Sequence, residues 1–366
     1  MSRPTVAILG TRGYPSFYGG FETLVRQLVP YMVECGWDVV VYGRTRDADA
    51  STEESVVVRV TRGLETKSLS TLSYGLTSAL DARKIRPDVA LIMNVANGYW
   101  LPFLRAKDIP AIVNVDGIEW ERAKWGRLAR SVFRLGARMT AKYSSSIICD
   151  SVVIKDYWAQ NFGREGKYIP YGGTVHSELP PPDGLPAGKY ILMVARFVPE
   201  NTVPEFLAAA ESLSDNSVVV IVGSSGYGGP LEEAVEGLAA KNSNVKWYGH
   251  INDDQKLFGL WQHAGVYFHG HSVGGTNPAL VQAMACGAPI VARDTPYNRE
   301  VLGDAGSFTR PDSESIREAI ELALSDDNRL RSLRVAARER AASFYSWDAV
   351  CASYEAAARS AIGVRA

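Results

Sequence analysis

Residues 5–25 read TVAILGTRGYPSFYGGFETLV. A short apolar run rich in β-branched residues passes through a glycine-rich turn into a segment with helical patterning. That order predicts a buried strand, a loop and a helix, the opening unit of an α/β fold. Gly10 and Gly13 are three apart and Gly19-Gly20 follow late, so the spacing departs from the dinucleotide fingerprint G-x-G-x-x-G. Two readings of the loop stand. Gly19 and Gly20 lack Cβ atoms and let backbone approach an oxyanion, and the helix opened by Phe21-Glu22-Thr23 points free N–H groups at it. Alternatively, the glycines serve turn geometry alone.

The same alternation continues along the chain. Strands are predicted at TVAILG, WDVVVYG, ESVVVRV, VALIMN, AIVNV and SSIICD, then at KYILMVA, VVVIVG, VKWYG, GVYFHG and PIVA. Helices are predicted between most of them, notably Phe21 to Cys35, PEFLAAAESL and NPALVQAMAC. Strands spaced for crossover helices imply parallel sheets covered on both faces. The stretch YIPYGGTVHSELPPPDGLPAGKY is dense in proline and glycine and reads as a linker. The expected organisation is an N-terminal domain over 1–172, a linker over 173–188, a C-terminal domain over 189–345 and a closing helix within 346–366 with Ser346 as N-cap. Two open α/β domains on one linker predict a cleft facing the C-terminal ends of both sheets, where ligands of such folds bind.

Composition sets the outer limits. The 366 residues are 46% hydrophobic and 22% charged, the balance of a soluble two-domain protein. No apolar run is long enough for a membrane span, and the first residues lack a signal-peptide layout. Cys35, Cys149, Cys286 and Cys351 lie far apart, which suggests neither a zinc knuckle nor a disulfide framework, and a cytoplasmic protein is expected. Net charge is −1, but unevenly distributed: residues 1–172 hold 23 Lys and Arg against 17 Asp and Glu, and 173–366 hold 16 against 23. The acidic second half argues against general nucleic-acid binding, while the basic first half suits an anionic surface.

A second glycine turn occurs in HGHSVGGTNPALVQAMACGAPIVA, residues 269–292. Here a strand ends at His269, Gly274-Gly275 make a turn, and Thr276-Asn277 cap a helix with Pro278 in its first turn. His269 and His271 alternate like a metal pair, but with no third ligand nearby a contact to phosphate or sugar is the better reading. Taken together, G-T-R-G-x-P…Y-G-G-F-E-T, D-G-x-E-W-x-R-x-K-W at 116–125, H-G-H-S-V-G-G-T-N-P and the Phe344-Tyr345-Ser346-Trp347 tail resemble the retaining glycosyltransferases of family 4. The branch they resemble most is the bacterial rhamnosyltransferases of surface polysaccharides.

The resemblance implies a GT-B fold: two Rossmann-like, doubly wound parallel-sheet domains facing a central cleft, with the donor on the second and the acceptor on the first. It gives Arg196, in MVARFVPEN, the pairing with the donor diphosphate, a task suited to a guanidinium fork that also stabilises the leaving group. A surface arginine at a strand end is the plainer alternative. Many members carry a lysine five residues later, where this chain has Asn201. The family's paired glutamates fall at Gly274 and Gln282, so ribose hydroxyls would meet an uncharged amide. The remaining donor-side candidates are Gly19, Gly20, Ser224, His250, Ile251, His271, Gly275, Thr276 and Asn277.

On the acceptor side, Asp116 follows the strand AIVNV, where a carboxylate can orient an acceptor hydroxyl or take its proton. Glu119 is the second acidic candidate; a helix cap and a first-turn charge are the structural alternatives for the two. Trp120 offers either a flat face for a sugar ring or a core side chain, and Thr11, Arg12, Arg122 and Lys124 complete the acceptor set. Asp47-Ala48-Asp49 spells a metal signature of another glycosyltransferase fold but reads here as a polar loop, and no metal or other cofactor is expected.

Residues 121–142 carry seven basic residues against the single acid Glu121, with Leu128, Val132, Phe133, Leu135 and Met139 roughly along one stripe. This is either a surface helix packed on the sheet or a dock for anionic lipid at the cytoplasmic membrane face. The combined expectation is transfer of L-rhamnose from dTDP-rhamnose, or another sugar from a UDP-linked donor, to a polyprenyl-diphosphate-linked saccharide. A nucleotide-sugar epimerase of the same shape and a degenerate transferase serving as a scaffold are the alternatives. The missing fingerprint disfavours an NAD-dependent oxidoreductase.

Overall fold

The computed structural model describes residues 3–16, 19–44, 54–64, 70–122, 125–226 and 228–363. The chain divides into two compact units, Met1–Tyr171 with Trp347–Ala366, and Gly172–Ser346. The first contains β1 (Thr5–Leu9), α1 (Gly20–Glu34), β2 (Asp38–Gly43), β3 (Val56–Val60), α2 (Ser70–Ile85), β4 (Val89–Met93), α3 (Leu101–Arg105), β5 (Ala111–Asn114), α4 (Arg127–Tyr143), β6 (Ser146–Cys149), α5 (Val152–Phe162) and β7 (Lys167–Tyr168). The second contains β8 (Tyr190–Val194), α6 (Val203–Leu213), β9 (Val218–Val222), α7 (Pro230–Lys241), β10 (Val245–Trp247), α8 (Asp254–Gln262), β11 (Val266–His269), α9 (Pro278–Ala285), β12 (Ile290–Arg293), α10 (Pro296–Leu302), β13 (Ser307–Thr309), α11 (Ser313–Leu324) and α12 (Asp327–Phe344). The last helix, α13 (Trp347–Gly363), belongs to the first unit.

Both sheets are parallel throughout, with strand orders β3-β2-β1-β4-β5-β6-β7 and β10-β9-β8-β11-β12-β13. Every strand predicted from the apolar runs is present. Their central members are buried on both faces, which is why they read as continuous β-branched runs rather than alternating ones. The two strands missing from the expectation, β7 and β13, are edge strands of two and three residues, too short to carry a pattern. In each sheet the order reverses once, between β1 and β4 and between β8 and β11, and the crevice at such a reversal is where a doubly wound sheet offers space for a ligand.

Helix α13 packs Trp347, Val350, Cys351, Tyr354, Ala357, Ala358 and Ala361 into the core formed by β1, β2 and α1. The buried Asn114 at the end of β5 donates its amide to Tyr354 Oη at 2.6 Å. Tyr354→Phe leaves that amide without an acceptor, so a loss of about 1–2 kcal/mol is expected, read as a lower urea midpoint.

The helix expected over 121–142 is in two parts, a short 3-10 turn at Glu119–Glu121 and α4 from Arg127. The expected apolar stripe is split: Val132, Phe133 and Met139 are half-buried, with Phe133 against the Trp125 ring, while its other two members are exposed. Gly136, Ala137 and Thr140 are buried, because small residues let α4 lie close to the turn at 95–100, whose Tyr99 Oη donates to the Val132 carbonyl at 2.8 Å. Leu128 and Leu135 are 81% and 47% exposed instead.

Candidate active site

At the reversal in the first sheet, Gly10 leaves β1 with φ +90°, and a Cβ there would stand 2.4 Å from the Met93 carbonyl oxygen, so no larger residue fits. Thr11 is buried and donates its hydroxyl to the Tyr42 carbonyl at 3.1 Å. That bond ties its hydroxyl to β2, and Thr11 lines the small cavity there with Gly10, Arg44 and Tyr74. The Arg12 N–H donates to Glu22 Oε1 at 3.1 Å, so the loop before α1 is closed partly by its own first-turn carboxylate. Gly19 occupies the N-cap of α1 with no side chain to satisfy the helix's free N–H groups.

At the tip of β5, Asp116 takes the left-handed conformation (φ +57°), and its N–H donates to Asn114 Oδ1 at 3.0 Å. A non-glycine residue held there is a sign of a functional position, though Asp tolerates the region better than most. Asp116, Asp150 at the end of β6 and Glu22 converge electrostatically on Tyr171. Burial first, and then these carboxylates, push its phenol well above the ordinary range. Asp150 and Glu22 were not among the expected site residues. Asp150 carries the same signal as Asp116, a carboxylate directly after a buried strand.

The neighbours of Asp116 are structural. Glu119, 4% exposed, pairs with Arg122 Nε at 2.8 Å and accepts the Trp125 indole N–H at 2.9 Å. Trp120 is buried, donates its indole N–H to Tyr157 Oη at 3.0 Å and meets the Phe162 ring edge-on. The expected catalytic Glu119, sugar platform Trp120 and acceptor contact Arg122 are therefore corrected to a buried ion pair and a packed aromatic cluster. Lys124 and the Asp47–Asp49 motif lie outside the described residues.

In the second unit the parallel strands bring four expected residues to one edge. In spatial order these are His250 after β10, Ser224 after β9, Arg196 after β8 and His271 after β11, with Ile251 beside His250. Arg196 is exposed, and its carbonyl accepts the Asn201 side-chain amide at 2.9 Å. Asn201, 4% exposed, is thus the staple of the 196–201 turn rather than a second ligand contact. Around the neighbouring turn, Thr202 Oγ1 donates to the Gly270 carbonyl (2.6 Å), Asn298 to the His271 carbonyl (2.9 Å), and the Ser272 N–H and hydroxyl to the Glu200 carbonyl (3.0 and 2.7 Å). Thr276 is buried, Gly275 precedes it, and Asn277 Oδ1 accepts the Ala279 N–H at 3.0 Å as the N-cap of α9. The other end of α9 is held by α12, whose Arg334 donates to the carbonyls of Gln262 and Gly287 and Arg338 to that of Cys286.

Gln282 differs most from its expected role. Its Oε1 accepts the Thr174 N–H at 3.0 Å and its Nε2 donates to the Thr174 carbonyl at 2.8 Å. Gly173 presses against the same helix, where a Cβ would lie 3.0 Å from the Val281 carbonyl, and its N–H donates to the Tyr345 carbonyl at 2.8 Å. The amide at 282 thus clamps the backbone on both sides of Thr174, and its Nε2 also donates to Cys286 Sγ at 3.5 Å. Among the described residues no three His, Cys, Asp or Glu side chains are arranged to hold a metal, and no helix is long and apolar enough to cross a membrane.

Two parallel α/β units with the strand orders above constitute the GT-B fold. Over 99% of this chain and 100% of the other, it superposes on a sucrose-phosphate synthase from Thermosynechococcus elongatus with a TM-score of 0.82 at 19% identity. Anabaena HepE in complex with UDP-glucose superposes with a TM-score of 0.77 at 15% identity, covering 97% and 99% of the two chains. Residues 181–340 match the family model of the glycosyl transferases group 1, and residues 67–174 match a domain of unknown function, DUF1972. The first of these matches lies within the second unit. A phosphatidyl-myo-inositol mannosyltransferase of Mycolicibacterium smegmatis is 29% identical over 56% of this chain and 54% of its own length. The O-antigen chain mannosyltransferase RfbU of Salmonella typhimurium is 22% identical over 50% and 51%. The chain thus spans about half the length of the curated relatives it matches.

Proposed function

We propose that this protein is a hexosyltransferase that takes its sugar from a nucleotide sugar held by the second unit. The observation that carries this reading is the row formed by Arg196 and His271 at the β8–β11 reversal, next to the capped N-terminus of α9, inside the segment that matches group 1 glycosyltransferases. A guanidinium, an imidazole and a helix N-terminus together suit a diphosphate.

In the reaction, the bond from sugar C1 to the phosphate oxygen breaks and a bond from C1 to the acceptor oxygen forms. The acceptor oxygen attacks on the face from which the phosphate departs, which keeps the configuration at C1, and the acceptor hydroxyl's proton passes to that phosphate. Arg196 stabilises the charge that grows on the leaving group, and Asp116 orients the acceptor hydroxyl. The favoured donor is dTDP-rhamnose, from the resemblance of the sequence motifs, and the favoured acceptor is a lipid-linked saccharide, as the mannosyltransferase relatives suggest. No metal is required in this scheme. Thermal shift with UDP, dTDP, GDP and ADP in the presence of EDTA tests it: at least one should raise the melting temperature, and a flat response to all four contradicts the reading.

The acceptor's lipid gives helix α4 a role. Leu128 and Leu135 are exposed beside the exposed Arg127, Arg130, Arg134 and Arg138, an arrangement suited to the surface of an anionic bilayer. Sedimentation with phosphatidylglycerol vesicles should retain the protein, and Leu128→Ser with Arg134→Glu and Arg138→Glu should release it. Each basic side chain contributes about 1 kcal/mol at such a surface.

A further inference from the structure

The two histidines at the end of β11 form a stacked pair. Their ring centroids are 4.4 Å apart and their planes 12° from parallel. His269 is fully buried, and its Nδ1 lies 2.9 Å from Tyr267 Oη, on the face of the sheet covered by α8 and α9. The phenol has one proton to give. In the Nε2–H tautomer of His269 the phenol donates to Nδ1, its nearer acceptor, rather than to the Val194 carbonyl at 3.4 Å. Burial of Tyr267 holds that phenol in its protonated form. In that form a neutral His269 carries its own proton on Nε2, an atom shut off from solvent and without a hydrogen-bond partner among the described residues.

His271, directly above, is only half-buried, and the backbone around it is fixed by Thr202, Asn298 and Ser272. Two imidazolium rings at this separation repel, so the pair takes one proton at a time. Burial first, and His271 second, hold His269 well below the ordinary imidazole range. The other charged or titratable groups on the surrounding segments are Arg196 and Glu200 after β8, Arg293 and Asp294 after β12, Tyr297, Arg299 and Glu300 on α10 and Cys286 after α9. Asp294 is ion-paired with Arg299, and Arg293 donates to Thr202 Oγ1.

We propose that His269 is a positioning residue for His271: it fixes the upper ring by stacking and confines the pair's single proton to it, so that His271 meets the donor diphosphate as a cation. The inference rests on the second unit being the donor site. Ligand affinity then falls as pH rises through the titration of His271. The flat face of His269 stabilises the cation above it as any aromatic face does, an effect of about 10-fold in affinity.

The chain contains five histidines, so ¹⁵N-histidine NMR of the intact protein resolves the pair directly. The expected result is one ring that titrates between pH 5 and 9 and one that keeps the neutral Nε2–H pattern throughout. Titration of His269 in that range, or an Nδ1–H tautomer, overturns the proposal. With UDP and dTDP as probes, His269→Leu should weaken binding about 10-fold and lower its pH midpoint by about one unit, whereas His269→Phe should restore both. Binding by His269→Leu with the wild-type affinity and midpoint also overturns it. If wild-type protein binds neither nucleotide, the donor-site reading fails, while the NMR titration still decides the pair. The same NMR result decides it should the buried substitutions fail to fold.

Discussion

Arg196→Ala is expected to lower kcat/KM for sugar transfer by about 10²–10³-fold while leaving the melting temperature of the free protein unchanged. The side chain is exposed at the end of β8, and it is the residue's carbonyl, not its guanidinium, that takes part in the surrounding turn. Its removal therefore costs the fold little, because Asn201 keeps its hydrogen bond to a backbone that is still present. The effect should fall mainly on kcat, since charge on the leaving phosphate grows toward the transition state. Arg196→Lys keeps the charge without the planar fork and should recover only part of the loss. Steady-state kinetics on the variants, alongside thermal denaturation, checks both halves of the expectation. The same variant separates an enzyme from a scaffold, because a scaffold shows no turnover for the substitution to remove.

Gln282→Glu should have the largest effect on stability, about 3 kcal/mol at pH 8, or about 6 °C or more in melting temperature. At the family's glutamate position this chain uses both ends of an amide on the backbone N–H and carbonyl of Thr174. A carboxylate still accepts the Thr174 N–H, but it presents a second acceptor to the Thr174 carbonyl and buries a charge at a site 9% exposed. Burial raises the introduced carboxyl's folded-state pKa above its unfolded value. The penalty is therefore fully present once pH exceeds the folded-state pKa, and it shrinks as pH falls toward the unfolded value, because a protonated carboxyl can donate to the Thr174 carbonyl as the amide does. Melting curves of the variant at pH 5 and pH 8 should converge on and diverge from wild type respectively. A pH-independent difference contradicts the clamp. On this account the glutamine is a structural adaptation of the α9 helix and no mark of a failing enzyme.

The two sheets were legible because a parallel strand buried on both faces must be a short continuous apolar run. Asp116 and His271 were legible as site candidates for a related reason, because the C-terminal end of such a strand is marked by where the run stops, whereas Arg196 was named through the resemblance of its motif. What the linear pattern concealed is the side-chain partner. Thr11 is claimed by Tyr42, Trp120 by Tyr157 and Gln282 by Thr174, and each partner is far off in sequence. Glu119 was misread for a different reason. Its partners Arg122 and Trp125 are close in sequence, but nothing in the spacing says that the turn buries Glu119 between them. The exposed Leu128 and Leu135 follow the same lesson. A helical stripe of apolar residues identifies a face, while close packing through Gly136 and Ala137 covers only the part of it that holds Val132, Phe133 and Met139.

The central claim is that a nucleotide sugar is the donor. The most direct test is release of nucleoside diphosphate from a panel of common nucleotide sugars, dTDP-rhamnose among them, with a polyprenyl-diphosphate-linked saccharide present and EDTA added. The account predicts release from one or a few members of the panel that depends on the acceptor and is lost in Arg196→Ala. Release from no member, with correctly folded protein and acceptors of varied structure, contradicts it.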